Sequence, residues 1–154
     1  MSIIVLNYNT AGWLPKCFAS IRSQTVIGQI ETIFVDNLST DDSVATARKL
    51  LAEFPAACVV ENATNLGFCE GNNVGAGIAR GHYLFFLNPD TWLEPDCVEK
   101  LLAGVEKANA DAATPWVLQY ADDSHQDLGF LGFDLFGLPI SSPRAVNFGE
   151  VFAA

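Results

Sequence analysis

The chain has 154 residues, half of them apolar, which suits one domain with a sizeable core. A formal net charge of −10 excludes the electrostatic footprint of a nucleic-acid binder, and an anionic membrane would repel the chain as well. With only 8 Lys and Arg residues, a phosphate-bearing ligand would need another neutralising group, and a divalent cation is the expected one.

The first residues hold no basic region followed by a long apolar run. Neither a signal peptide nor a membrane span is expected, and a cytoplasmic location follows as the default. Residues 3–6 are a short β-branched run that ends in Asn7, Tyr8 and Asn9. Trp13, Leu14, Cys17, Phe18 and Ile21 then recur at helical spacing. A second strand is expected over residues 32–35, ending in Asp36 and Asn37. Val44, Ala47, Leu51 and Phe54 mark the next helix, with Ser39, Thr40 or Asp41 as its cap. A third strand is expected at residues 58–60, and the Gly/Asn-rich stretch 65–81 should contain a helix around residues 72–79.

Residues 83–87 are wholly apolar between turn residues and predict a fourth strand, with Phe85 and Phe86 in the core. Pro95 suits the first position of a helix whose apolar face is Val98, Leu101, Leu102 and Val105. Residues 112–118 are a candidate fifth strand weakened by Pro115. Beyond residue 118 the pattern dissolves into glycine, proline and aromatics, with no helix or strand expected. From Asp111 onward there are six acidic residues and one base, Arg144. The four cysteines form no C-x-x-C pair and read as reduced core residues.

Strands without polar alternation, separated by helices, imply a mostly parallel Rossmann-like α/β sheet with helices on both faces. The chain divides on this reading into an α/β domain over residues 1–118 and an irregular extension over 119–154. The last residues add no closing element, so the sheet is expected to be incomplete at its C-terminal side. A homodimer that covers an exposed sheet edge is left open.

Ligands of such sheets bind beyond the carboxyl ends of the strands. Each strand delivers carboxylates or amides there: Asn7 and Asn9 after the first, Asp36 and Asn37 after the second, Glu61, Asn62 and Asn65 after the third, Asn88 and Asp90 after the fourth. The bland alternative is that these are turn and cap residues, which Asn and Asp favour anyway. The turn after the first strand holds one glycine, Gly12, so it is no dinucleotide fingerprint, and no P-loop occurs. Without a Gly-rich cradle, a cation on Asp90 could neutralise a diphosphate, while Asp36 is better placed for a base or ribose. His82 and His125 have no metal spacing and no triad partners.

Four blocks then resemble family-2 glycosyltransferases. They are residues 2–9 (SIIVLNYN), Val35-Asp36-Asn37-x-Ser39-Thr40-Asp41, the segment from Asn65-x-Gly67-Phe68 through Gly71-Asn72-Asn73-x-Gly75 to Gly81, and Leu87-Asn88-Pro89-Asp90-Thr91. The last has the form found in rhamnosyltransferase-like members. The resemblance covers roughly residues 2 to 118 and implies the N-terminal, donor-binding part of a GT-A fold. It also implies transfer of a sugar, with a deoxyhexose such as rhamnose as one candidate, from a UDP- or dTDP-sugar to a saccharide or lipid-linked saccharide acceptor, with inversion. On that basis Asp36 would bind the pyrimidine, Asn7, Tyr8 and Asn9 would line base and ribose, and Asn65, Gly67, Asn72 and Asn73 would border nucleotide and sugar. Asp90 would bind Mg²⁺ or Mn²⁺, with Asn88 beside it.

Two departures stand out. The metal motif begins with Asn88 where the family usually has aspartate. No Glu-Asp pair occurs to supply the downstream catalytic base, and Asp122, Asp123, Asp127 and Asp134 do not fit that role. The residues 119–154 therefore read as the start of an acceptor-side region. The competing readings are a non-catalytic nucleotide-sugar-binding module and a purely structural α/β domain.

Overall fold

The N-terminal β-branched run is the middle of the sheet. In the computed structural model, which describes residues 1–115, 117, 130–133 and 139–141, strands β1 (Ser2–Asn7), β2 (Glu31–Asp36), β3 (Ala57–Glu61) and β4 (Leu84–Leu87) are all parallel in the order β3-β2-β1-β4. The chain divides into two units, residues 1–100 and 101–154. Ile3, Ile4, Val5, Ile33, Phe34 and Val35 are wholly buried, so both central strands are covered on both faces and need no polar alternation. Each such side chain contributes roughly 1.5–3 kcal/mol by leaving water.

The helices take opposite faces. Helix α1 (Leu14–Arg22) buries Leu14, Cys17, Phe18 and Ile21. Phe18 meets Phe34 edge-on at 5.9 Å and Phe54 at 6.0 Å. Helix α2 (Ser43–Leu51) buries Ala47 and Leu51 beside α1. Helix α3 (Gly67–Ile78) lies on the other face, against Ile4 and Val35, which alternate with Phe34 along the pleat. The doubly covered, mostly parallel Rossmann-like sheet expected from the sequence is the fold observed.

Helix α3 is longer than the expected residues 72–79 and begins five residues earlier. Its start is anchored by Asn65, whose Oδ1 accepts the Gly67 N–H at 2.9 Å, and by the left-handed φ of +74° at Gly67. Gly71 and Gly75, one turn apart, face the sheet. A Cβ at Gly75 would stand 2.6 Å from Ile4 Cγ2, and one at Gly71 2.6 Å from Leu6 Cδ1. These two glycines set how closely helix and sheet approach.

Several expectations are corrected. Helix α4 (Cys97–Ala108) begins two residues after Pro95, which sits in the turn before it. Residues 112–115 form no strand, as the proline there forewarned. Phe86 is 49 % exposed, and among the described residues β4 is the last strand of the sheet on its side. Cys17 is buried, but Cys58 and Cys97 are half-buried and Cys69 is exposed, although all four are free thiols. In the second unit, β5 (Phe130–Phe133) and β6 (Pro139–Ser141) pair antiparallel where no strand was expected.

The packing of α3 gives a paired prediction. Gly75→Ala should destabilise the domain by about 1–3 kcal/mol, because the new methyl overpacks against the immobile β-branched Ile4. At Gly77 nothing lies within 4 Å of the place a Cβ would take. Gly77→Ala should therefore stabilise by about 0.5 kcal/mol through helix propensity. Urea unfolding midpoints of the two variants, moving in opposite directions, check this; a rise for both would refute the close-approach argument.

Candidate functional site

The connections of the sheet diverge between β1 and β4. Strand β1 leaves through α1 on one face, whereas β4 is reached through α3 on the other. Such a switch point is where a parallel α/β sheet opens a crevice beyond its strand ends. The segments that flank it are Tyr8–Asn9 after β1 and Asn88–Asp90 after β4.

The ends of β1 and β2 are bound together by one carboxylate. Asp36 lies opposite Asn7 in register and is 2 % exposed. Its Oδ1 accepts from Asn7 Nδ2 at 2.7 Å and from Ser39 Oγ at 2.6 Å, and its Oδ2 accepts the Ser39 N–H at 2.8 Å. Three donors, two of them side chains, compensate the desolvation of the charge. Asn7 is wholly buried, also donates to Ser39 Oγ at 2.9 Å, and accepts a hydrogen bond from Thr10 Oγ1.

The network continues outward. Ser39 Oγ accepts the Asn9 N–H at 2.9 Å, and Asn9 Oδ1 accepts the Thr40 N–H at 2.7 Å. Asn9 and Leu38 both take left-handed φ, +56° and +64°. For Leu38 that conformation is strained, and the hydrogen-bonded neighbours on either side hold it there. Asp41 accepts the Ala11 N–H and the Ser43 N–H, each at 3.0 Å. Slight burial works to raise the Asp41 carboxyl, but the hydrogen bonds from Ser43 and Ala11 prevail and hold it below the usual range. That increment of stability is present above the ordinary carboxylate pKa and is lost as pH falls through the lowered value.

A second chain of amides ties β2 to α3. Asn37 Nδ2 donates to the Gly67 carbonyl at 2.9 Å, and Asn37 Oδ1 accepts from Asn62 Nδ2 at 2.8 Å. Asn72 is buried and donates to the Phe68 carbonyl of its own helix at 2.9 Å, while Asn73 is exposed. Tyr8 and Phe68 project their rings outward, 52 % and 64 % exposed.

Asn88 and Asp90 lie at the end of β4 with both side chains exposed. Beneath them, burial, with the Asp90 charge adding to it, pushes the Cys17 thiol up to about 12. The thiol therefore keeps its proton and donates weakly to the Asn88 carbonyl, Sγ to O 4.0 Å. Among the described residues no three His, Cys, Asp or Glu side chains gather as an all-protein metal cage. A single exposed carboxylate at Asp90 is instead the donor set of a cation shared with ligand phosphates and water, so Asp90 fits a Mg²⁺ or Mn²⁺ of that kind.

The expected site residues thus fall into three groups. Asn7, Asp36 and Asn72 are buried and bonded to their own chain, Asn9 and Asn65 are exposed yet bonded to it through Ser39, Thr40 and Gly67, and Tyr8, Asn73, Asn88 and Asp90 stand at the surface, as does Gly67. Sequence reasoning underrated Ser39, read there as a helix cap. It is the hub between both strand ends, and its spacing three after Asp36 was the available signal. Asp122, Asp123, His125 and Asp127, together with Asp134, lie outside the described residues.

The model of the family described as Glycosyl transferase family 2 matches residues 2–139. A glycosyltransferase of Haemophilus influenzae is 36 % identical over 107 residues, covering 70 % of this chain and 35 % of that protein. S. aureus TarS 1-349 in complex with UDP-GlcNAc superposes with a TM-score of 0.65 at 23 % identity, over 70 % of this chain and 31 % of its own. The mannosyltransferase PcManGT from Pyrobaculum calidifontis, in complex with GDP-Man and Mn²⁺, gives 0.65 at 22 % identity, over 79 % and 36 %. The chain spans about a third of the length of these proteins.

Asp36→Ala would leave one hydrogen of the buried Asn7 amide and both half-buried donors of Ser39 without the carboxylate that accepts them. It should cost about 3 kcal/mol of stability, read from urea unfolding. A loss below about 0.5 kcal/mol would show that the carboxylate does not organise the strand ends.

Proposed function

The chain belongs to glycosyl transferase family 2, and we propose that it forms the donor-binding side of an enzyme transferring a sugar from a UDP- or dTDP-sugar to a saccharide or lipid-linked saccharide acceptor. The observation that carries this reading is the placement of the Asp36 network and of Asp90 on neighbouring strand ends around the β1–β4 switch point. The complex of TarS with UDP-GlcNAc supports a uridine donor, and the complex of PcManGT with GDP-Man and Mn²⁺ supports a divalent cation.

Each residue has its part in this proposal. Asp36 receives the N–H of the pyrimidine through Oδ2, where the Ser39 N–H occupies one acceptor position. Asn7, wholly buried, orients that carboxylate rather than touching the nucleotide. The exposed Tyr8 ring and Asn9 line base and ribose. Asn65 shapes the Gly67 turn, which with Asn73 borders the nucleotide and sugar, while Asn72 steadies that end of α3. Asp90 holds Mg²⁺ or Mn²⁺, with Asn88 beside it. When bound, the cation supplies Lewis-acid stabilisation of the departing diphosphate. An inverting transfer also requires a base for the acceptor hydroxyl, a role assigned to none of these residues. A donor-binding module without turnover is the second reading, to which a binding site with no assigned base also corresponds. Among the described residues no helix is long and apolar enough to cross a membrane. The free thiols support a reducing, cytoplasmic setting.

Calorimetric titration with UDP, dTDP and GDP, with and without Mn²⁺, tests the proposal. We expect micromolar binding of a pyrimidine diphosphate that Mn²⁺ strengthens about tenfold, or ~1.4 kcal/mol. Asp90→Asn should abolish the Mn²⁺ increment, and Asp36→Asn should weaken binding with or without metal. Failure of the folded wild type to bind any of the three would overturn the proposal. Product formation with a saccharide acceptor would separate the enzyme from the module.

A further inference from the structure

Residues 88–94, which carry Asp90, have no regular secondary structure; a turn closed by Thr91 onto the Asn88 carbonyl orders part of them, and the rest of their order comes from anchors outside the segment. The outside anchors come from α1 and the turn after it. At the near end, Cys17 Sγ approaches the Asn88 carbonyl at 4.0 Å, the same oxygen that Thr91 Oγ1 of the segment itself bonds at 2.6 Å. At the far end sits Gln24, 2 % exposed. Its Nε2 donates to the Glu94 carbonyl at 2.7 Å and to the Ser20 carbonyl at 3.0 Å, and its Oε1 accepts the Val98 N–H at 3.0 Å. The Thr25 N–H donates to the Pro95 carbonyl at 2.9 Å, and Thr25 Oγ1 donates to Glu99 at 2.7 Å. Between these ends, Lys16 Nζ stands 3.2 Å from the centroid of the Trp92 ring. This cation–π contact is two residues from Asp90, on the stretch between the Asn88 and Glu94 anchors.

We propose that Lys16, through Trp92, is a positioning residue for Asp90: it holds the carboxylate in the place where it takes up a divalent cation. The inference rests on the reading of Asp90 given above. Lys16 does not coordinate the cation; it acts through the ring and the backbone of residues 90–92. Groups that orient a metal ligand from outside the coordination sphere commonly change metal affinity 10- to 100-fold. A cation that rests on few protein ligands and a diphosphate is sensitive to where its carboxylate stands.

The test is Mn²⁺ affinity in the presence of saturating UDP, read from the free-ion signal by electron paramagnetic resonance. UDP affinity without metal is measured alongside by calorimetry. Lys16→Ala and Trp92→Leu should each raise the Mn²⁺ Kd about tenfold, and the double variant should be no worse than either alone. Lys16→Arg, which keeps the contact, should stay within about threefold of wild type. Metal-free UDP affinity should change less than about twofold in all of them, since no nucleotide contact is removed. Hydrogen exchange at the Thr91 amide should quicken in Lys16→Ala, a readout independent of nucleotide. Wild-type Mn²⁺ affinity for Lys16→Ala overturns the positioning role alone. Additive losses in the double variant, or an equal loss of metal-free UDP binding, overturn it as well. Wild-type protein that binds UDP with no response to Mn²⁺ overturns the metal role of Asp90 and this inference together.

Discussion

A carboxylate cannot be buried at the end of a strand unless donors surround it, and Asp36 is only 2 % exposed to solvent. Its three donors come from the β1 end, through Asn7, and from the loop after β2, through Ser39. That requirement explains much else at this edge. Asn7 must be an amide to donate to Asp36 while accepting from Thr10. Ser39 must be a hydroxyl to donate to Asp36 while accepting from Asn7 and the Asn9 N–H. The left-handed turns at Asn9 and Leu38 are the backbone geometry by which these groups reach one another.

The same logic, with shape in place of charge, governs the opposite face of the sheet. Helix α3 comes close enough for Asn37 to donate to the Gly67 carbonyl only because Gly71 and Gly75 present no side chain to Leu6, Ile4 and Val35. At Gly71 the site and the packing meet in one residue: its absent Cβ would stand 2.9 Å from Asn37 Nδ2. The glycines are therefore helix–sheet contact points and not a phosphate cradle, which agrees with their failure to match a dinucleotide fingerprint.

Most of the fold was legible because burial on both faces writes an unbroken apolar run for β1 and β2, and because Leu14, Cys17, Phe18 and Ile21 repeat at helical spacing. Phe86 was misplaced because an apolar run does not tell a central strand from an outer one. The start of α3 was missed because Gly67 and Gly71 depress helix propensity, while the packing that stabilises the helix is tertiary. The candidate site was legible as a convergence of Asn and Asp on the strand ends. What the sequence could not express is which of those side chains face inward. Asn7 and Asn9 read alike, yet one is wholly buried and the other exposed. Gln24 left no signal, since the two bonds that tie it to the Asp90 segment run to backbone atoms 70 and 74 residues away.

The network also bears on how a diphosphate can be met here. A P-loop or Rossmann turn offers backbone N–H groups to the anion. At this edge the N–H groups of Asn9, Thr10, Ala11, Ser39, Thr40 and Ser43 are each taken up by a side-chain oxygen of the chain itself, three of them on carboxylates. The surface so formed has little donor capacity left for phosphate and carries negative charge at Asp36 and Asp41. An anion approaching it would be repelled unless a cation came with it. Asp90 is the exposed carboxylate on the far side of the switch point, held on a short segment anchored to α1. The proposed division of labour follows from this difference: β1 and β2 use their hydrogen-bonding capacity to build a rigid shelf for the base, and β4 leaves one carboxylate at the surface for the metal that the phosphates require.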